Sequence, residues 1–171
     1  MQEIEILFFL EEDINKAINK LEDEFGNFDY NDIHDIYYKT KPRTSLRLRE
    51  YDFFGILTYK QDIYKGKEWI YSDEYETEVD FDDMKKIFDQ LFDVYVELKI
   101  KRRFFDSKNY KIYIDQVKGL GNFLEVERIK KAKSIEKAKE DIRKFVKGLD
   151  IKVGKELNKG KPELMADIFK R

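Results

Sequence analysis

Residues 114–127 read IDQVKGLGNFLEVE. Two alternating runs flank a short Gly-Leu-Gly segment, and that pattern decides the architecture. In the second run Leu124 and Val126 fall on one side of an extended chain, and Glu125 and Glu127 fall on the other. Gly119-Leu120-Gly121 lacks the following Lys-Ser/Thr and the helix start that a phosphate-binding loop requires, so it reads as a tight turn between strands. The stretch is therefore a turn between two strands, over 111–116 and 123–129, the second with one apolar and one acidic face.

Working outward, the same alternation recurs. Strand-like segments cover the first ten residues and then 28–38, 45–51, 53–61, 69–81 and 93–105, with 62–67 reading as a loop. With the two around the Gly-Leu-Gly turn this makes eight strands. Between them, Ile14, Ala17, Ile18, Leu21 and Phe25 recur at three- and four-residue steps, which predicts an amphipathic helix over 12–25 stopped by Gly26-Asn27. A second helix is expected within 81–92, capped by Asp82 or Asp83, a third over 134–149, and a short fourth over 163–169. No linker divides the chain. The expectation is one α+β domain over 1–171: an eight-stranded antiparallel β-barrel with helices packed outside, and 130–171 as a helical C-terminal segment.

Which side chains occupy every second strand position is the informative feature. Glu3 and Glu5 share a face, as do Glu74, Glu76 and Glu78, and Glu125 and Glu127. Basic strands accompany them, with Arg47 and Arg49 in SLRLRE, Lys60 in LTYKQ, and Lys99, Lys101 and Arg103 opposite Leu98, Ile100 and Arg102. One such strand is ordinarily the wet face of a half-buried sheet. Six of them, sorted into acidic and basic, predict a closed sheet around a polar lumen. Arg and Lys clusters suit polyphosphate oxygens. Carboxylate clusters suit a hard divalent cation. Both in one cavity point to a metal–triphosphate complex.

Composition narrows the alternatives. The 171 residues are 42% hydrophobic and 41% charged, which fits a folded chain with a heavily charged surface. Lys+Arg 34 against Asp+Glu 36 gives a net charge of -2 and argues against nucleic acid as the general partner. The absence of cysteine removes disulfides and thiolate chemistry. The apolar run 6–10 is too short for a signal segment and no stretch approaches a membrane span, so a cytoplasmic protein without membrane partners is expected.

Several blocks, taken in order, resemble the CYTH family of triphosphate tunnel proteins, which includes class IV adenylate cyclases, thiamine triphosphatases and inorganic triphosphatases. EIEIL at 3–7 is similar to the family's E-x-E-x-K motif. HDIYY at 34–38, SLRLRE at 45–50, LTYK at 57–60, EYETEV at 74–79 and IDQVKGLGNFLEVE at 114–127 follow. The resemblance implies an eight-stranded tunnel and Mg2+ or Mn2+ as cofactor. It implies that Glu3 and Glu5 assist metal and substrate binding, and that Lys60 joins them in catalysis. Phosphates would be held by Arg47, Arg49, Lys60, Lys99 and Lys101, with Arg103 as a further cation. The metal would be held by Asp115, Glu125 and Glu127, with Glu76 and Glu78 as a second acidic pair. It also leaves a homodimer open.

Two departures stand out. Leu7 occupies the place of the motif's lysine, and Ser72-Asp73-Glu74 lacks the arginine that many members carry before the second acidic pair. Three readings follow: cyclisation of ATP to cyclic AMP and pyrophosphate, hydrolysis of thiamine triphosphate or inorganic triphosphate, and binding of nucleotide or polyphosphate without turnover. An ordinary protein-interaction barrel is a weaker fourth. The cyclase type is the expectation from the last block and the helix placement. His34, the sole histidine, reads as a partly exposed strand residue rather than a proton relay. Trp69 reads as rim packing, Tyr37 and Tyr38 as barrel packing, and the lysine-rich run 130–139 as a solvated approach to a helix.

Overall fold

The computed structural model describes residues 2–66, 68–129 and 133–169, with the side chains of Gln2, Glu3, Glu68 and Trp69 excepted. The expectations for Glu3, for Trp69 and for residues 130–132 therefore lie outside the described side chains and residues.

The strands are β1 (Gln2–Glu3), β2 (Glu5–Leu10), β3 (Asp29–Tyr38), β4 (Thr44–Glu50), β5 (Gly55–Lys65), β6 (Glu68–Val79), β7 (Val94–Asp106), β8 (Tyr110–Val117), β9 (Gly121–Arg128) and β10 (Val153–Glu156). The helices are α1 (Ile14–Phe25), α2 (Phe81–Leu91), α3 (Ile135–Gly148) and α4 (Lys161–Phe169). All ladders are antiparallel, in the order β1-β6-β5-β4-β3-β7-β8-β9-β2-β10.

That order curls the sheet. β1 and β2 are consecutive stretches of one N-terminal strand, yet Gln2 and Glu3 pair with Asp73 and Ser72 of β6, whereas Glu5–Phe9 pair with Glu127–Phe123 of β9. The two ends of the sheet thus meet on the first ten residues. The remaining edge of β2, at Phe8 and Leu10, is taken by β10. The eight expected strands are present, with the first one split and a further short strand added in the C-terminal segment. That segment, expected as helical, carries β10 between its two helices. Of the expected loop at 62–67, residues 62–65 are instead the end of β5, paired with β6 as far as Lys65↔Glu68, Gly66 lies in a turn as expected, and residue 67 lies outside the described residues.

Helices cover the convex side. Ile6 and Phe8 of β2, Ile112 and Ile114 of β8, and Leu124 and Val126 of β9 pack with Ala17, Ile18 and Leu21 of α1 and Ile142 and Val146 of α3. Ile36, Tyr38 and Leu48 form a second outer cluster under Phe81, Met84 and Phe88 of α2. The caps follow side-chain chemistry. The Asp13 carboxylate accepts from the Asn15 and Lys16 N–H groups, and the Ser134 hydroxyl from Lys137 N–H. For α2 the cap is Asp80, bonded to Asp83 N–H at 2.9 Å, rather than Asp82 or Asp83, which lie in its first turn. In the β8–β9 turn, Gly119 (φ 78) and Gly121 (φ 124) adopt backbone angles that L side chains avoid, as the Gly-Leu-Gly reading requires. Among the described residues no helix is long and apolar enough to cross a membrane.

The fourth helix sits differently. Met165 of α4 belongs to an apolar cluster with Leu7, Ile33, Val96, Leu98, Ile100, Val117 and Phe123, and Leu157 and Leu164 pack against it. These strand residues face away from the α1–α3 layer, so α4 occupies part of the concave side of the sheet.

Candidate active site: a charged concave face

Register fixes which side chains share the concave face. Asp35 of β3 lies opposite Arg49 of β4, and Arg47 opposite Thr58 of β5, which in turn faces Glu76 of β6. Lys60 pairs with Glu74, and Ile56 with Glu78. On the other flank Arg102 faces Asp115, Leu7 faces Glu125, and Glu5 faces Glu127.

Arg49 and Asp35 form a buried bidentate pair, with Nε and Nη2 donating at 2.6 and 2.8 Å to the two carboxylate oxygens. Burial alone would push the Asp35 carboxyl up. The charge and hydrogen bonds of Arg49, with Arg47 and Arg102 behind, hold it below the usual carboxylate range. Arg47 Nη2 donates to Thr58 Oγ1 at 2.8 Å and to Glu76 Oε1 at 3.1 Å, while its Nε is buried without a hydrogen-bond partner. Lys60 Nζ lies 2.7 Å from Glu74 Oε2. In place of the missing arginine of β6, the Ser72 hydroxyl is buried and donates to Asp62 Oδ1 at 2.7 Å.

A second cluster lies across the face. Arg102 donates through Nε and Nη2 to Asp115 at 2.8 and 2.6 Å, and its Nη2 lies 3.4 Å from Glu125 Oε1. The Arg102 guanidinium also lies 4.2 Å from the Tyr113 ring centre. Lys161, the first residue of α4, donates to Asp115 Oδ2 at 2.6 Å and to Glu125 Oε2. For Asp115, burial works upward, but Arg102 and Lys161 outweigh it and hold the carboxyl well below its ordinary value. Glu125 follows the same balance, with Lys161 the first opposing charge and Arg102 the next. Glu127 accepts from the Tyr113 hydroxyl at 3.4 Å and lies 3.8 Å from Lys111 Nζ.

The concave face thus brings together Glu5, Arg47, Arg49, Lys60, Glu76, Asp115, Glu125 and Glu127, and places Glu78 on the same side. It does not include Lys99, Lys101 or Arg103. The inward residues of β7 are Leu98, Ile100 and Arg102; Leu98 lies opposite the inward Asp35, and Arg102 opposite the inward Asp115. Lys99 and Lys101 are exposed on the convex side, where with Asp32, His34, Glu50 and Gln116 they line a recess of about 1000 Å³. Arg103 lies there too, its guanidinium 5.4 Å from the Tyr30 ring centre. The expectation that these three cations line the lumen is corrected. The face of β7 that points inward is the more apolar one, with Val96, Leu98 and Ile100 packed in the cluster that seats α4, and Arg102 is its single cation.

Of the other tempting residues, His34 and Tyr38 lie outside the concave face and Tyr37 lies on it. His34 bridges Glu50 and Glu97 on the convex side, with ring nitrogens 3.0 and 2.8 Å from carboxylate oxygens. Tyr38 packs edge-on against Phe88 and donates to Asp89 Oδ1 at 3.2 Å. Tyr37 points inward, and burial first, then Asp35, raises its hydroxyl above the ordinary value. Lys139, in the run read as solvated, is buried in α3. Sequence reasoning missed Asp35, Thr58, Arg102 and Lys161. Arg102 carried a signal, as a charge in an otherwise apolar alternation; Lys161 carried none.

The donor set suits a hard divalent cation. Asp115 and Glu125 already converge on one positive centre, the Lys161 ammonium, and Mg2+ needs only one or two carboxylates when phosphate and water complete its shell. Among the described residues no three His, Asp or Glu side chains converge on a metal-sized point.

The model of the CYTH domain family matches residues 1–160. The chain belongs to the CYTH family. Solved structures agree with that membership. A protein of Pyrococcus horikoshii OT3 superposes with TM-score 0.79 at 28% identity, covering 99% of each chain. A conserved hypothetical protein of Pyrococcus furiosus gives 0.81 at 26% identity, over 95% of this chain and 99% of that one. A Hippeastrum protein described as an adenylyl cyclase with a dominant triphosphatase activity gives 0.66 at 17% identity, over 96% of this chain and 95% of that one, and shares the fold. Comparison with curated proteins finds no match. In this CYTH chain the acidic residues of β6, β8 and β9 and the basic residues of β4 and β5 share one concave face, and the C-terminal helix occupies part of it.

Proposed function

We propose that this CYTH protein binds a triphosphate on the concave face, together with a divalent cation, and hydrolyses its terminal phosphoryl group. The observation that carries the reading is the convergence of Arg47, Arg49, Lys60 and Arg102 with the Asp115–Glu125 pair on one face, where the buried Arg47 Nε has no protein partner. A buried guanidinium N–H without an acceptor costs free energy, and a phosphate oxygen would supply the acceptor.

Asp115 and Glu125, with Glu127 beside them, would hold Mg2+ or Mn2+, which when bound supplies neutralisation of phosphate charge. Arg47 would meet a phosphate oxygen through its unpartnered Nε, Arg49 would add its charge from the Asp35 pair behind, and Lys60 would add a point charge. Glu76 accepts from Arg47 and Thr58 and keeps solvent access, which suits it to hold a water beside an Arg-bound phosphate. In the reaction the water oxygen bonds to the terminal phosphorus and the bond to the bridging oxygen breaks. The diphosphate leaves with that bond's electron pair, and the water proton passes to the carboxylate. Glu3 and Glu5 would assist from the N-terminal strand.

Hydrolysis is preferred to the cyclase reading expected from the sequence. The apolar part of the concave face, where an adenine ring would find stacking and burial, is filled by Leu7, Leu98, Phe123 and Met165. The test is incubation with inorganic triphosphate, thiamine triphosphate and ATP, each with Mg2+ or Mn2+. Free phosphate is the expected product. Cyclic AMP would favour the cyclase instead, binding without phosphate release would leave a binding module, and no binding of any triphosphate would overturn the reading.

A further inference from the structure

Lys161 is 7% exposed, and its ammonium is held by two carboxylates that also face Arg102. Three contacts bring it there from the far end of the chain. β10 takes the edge of β2 at Phe8 and Leu10. Leu157 N–H then donates to Leu7 C=O at 2.8 Å. Finally Met165, with Leu157 and Leu164, packs into the cluster containing Leu7 and Phe123.

Leu7 is the cross-strand partner of Glu125. A cation on that strand position would lie beside the Glu125 carboxylate, which Lys161 now reaches from α4. The apolar Leu7 serves as the helix's seat, and the helix delivers the charge that Leu7 does not. Placement of Lys161 and loss of the first-strand cation are two sides of one arrangement.

We propose that Lys161 is a tethered stand-in for the divalent cation, so that loading of metal and triphosphate displaces Lys161 from Asp115 and Glu125 and unseats α4 from the concave face. The inference rests on the reading of these carboxylates as the metal site. An ammonium and a divalent cation compete for the same carboxylate oxygens. Withdrawing Lys161 alone would strand two buried carboxylates beside a single arginine, which is costly. Arrival of a cation of higher charge removes that penalty, and the triphosphate gives the freed ammonium a new anionic partner. By linkage, whatever loosens α4 must tighten metal binding by the same factor.

Hydrogen exchange on the full chain tests this, with Mn2+ and a non-hydrolysable imido analogue of triphosphate as probes. Amides of Leu164–Phe169 should exchange at least about tenfold faster when both probes are bound, while β8 and β9 become more protected. In parallel, a spectroscopic Mn2+ titration should show Lys161→Met binding the ion roughly 5- to 100-fold more tightly than the wild type. Bound Mn2+ with unchanged exchange in α4, or equal affinities in the two proteins, overturns the proposal and leaves the triphosphate reading standing. Absence of Mn2+ and analogue binding in both proteins overturns the site reading and this proposal together. Should Lys161→Met fail to fold, the exchange measurement on the wild type decides alone.

Discussion

Asp35 and Arg49 illustrate how a single residue on this face serves both the fold and the site. Their bidentate pair is buried from both sides, so removing one partner leaves the other's charge without compensation. Asp35→Asn should cost about 3–5 kcal/mol in chemical denaturation, and Asp35→Asn with Arg49→Met should recover most of it, since no unpaired charge remains. Inorganic triphosphate should restore part of the stability of Asp35→Asn alone, because Arg49 gains an anion; a loss under about 1 kcal/mol would contradict the account of the pair. Charge identity was legible at this scale and charge direction was not. Arg47, Arg49, Glu125 and Glu127 could be assigned to one face because their strands alternate with leucine and valine. On β7 both alternating sets carried charge, three cations against Arg102, and the richer set faces outward. Triphosphate binding should therefore survive Lys99→Ala and Lys101→Ala within about twofold and weaken at least roughly tenfold in Arg102→Ala, as isothermal titration would register. Equal losses in all three would place β7 the other way round.

Elements were legible wherever one side of the element alone met solvent. β8 and β9 were readable because their turn demanded glycine and their outer residues Ile112, Ile114, Leu124 and Val126 are buried under α1 and α3. α1, α2 and α3 each carried one apolar stripe. β10 was not readable: Val153-Gly-Lys-Glu156 is four residues long, and what makes it a strand is the free edge of β2, a tertiary circumstance. α4 was read as a short helix, but nothing in Met165 or Leu164 distinguishes a helix on the convex side from one on the concave side. A close approach where β5 begins, between β4 and β6, supplies a prediction at this scale. A Cβ on Gly55, the first residue of β5, would lie 3.1 Å from Phe81 Cβ and 3.2 Å from Phe81 Cα at the start of α2. One of those neighbours is backbone and cannot swing aside. Gly55→Ala should cost about 1–3 kcal/mol in thermal or chemical unfolding, and Gly55→Val more. A neutral Gly55→Ala would mean that α2 can shift away from the hairpin without loss of its seat on Ile36 and Leu48.

For the whole molecule the buried carboxylates divide into two groups whose responses to pH have opposite sign. Asp35, Asp115 and Glu125 are held below their ordinary values by the cations facing them. In the unfolded chain they take up protons near pH 4, whereas in the folded chain they resist until lower pH. The stability they contribute is complete above about pH 5 and is lost as pH falls through the ordinary carboxylate range toward their depressed values. Glu163 of α4 behaves in the reverse sense. Burial is the largest influence on it and Asp62 adds repulsion, while the Gly160 and Glu163 backbone offsets them only in part, so its carboxyl is raised. The folded chain accepts that proton at a higher pH than the unfolded chain, so ionised Glu163 opposes folding at neutral pH and the opposition fades on acidification. Glu163→Gln should accordingly raise the urea midpoint at pH 7, with the gain shrinking toward zero as pH falls below about 4, where the wild-type carboxyl becomes protonated in both states. The same substitution should slow hydrogen exchange in α4 at pH 7, because the charge it removes opposes the seating of that helix. A midpoint unchanged or lowered at pH 7 would mean that the backbone contacts of Glu163 outweigh its burial, and that the concave face holds α4 without electrostatic opposition.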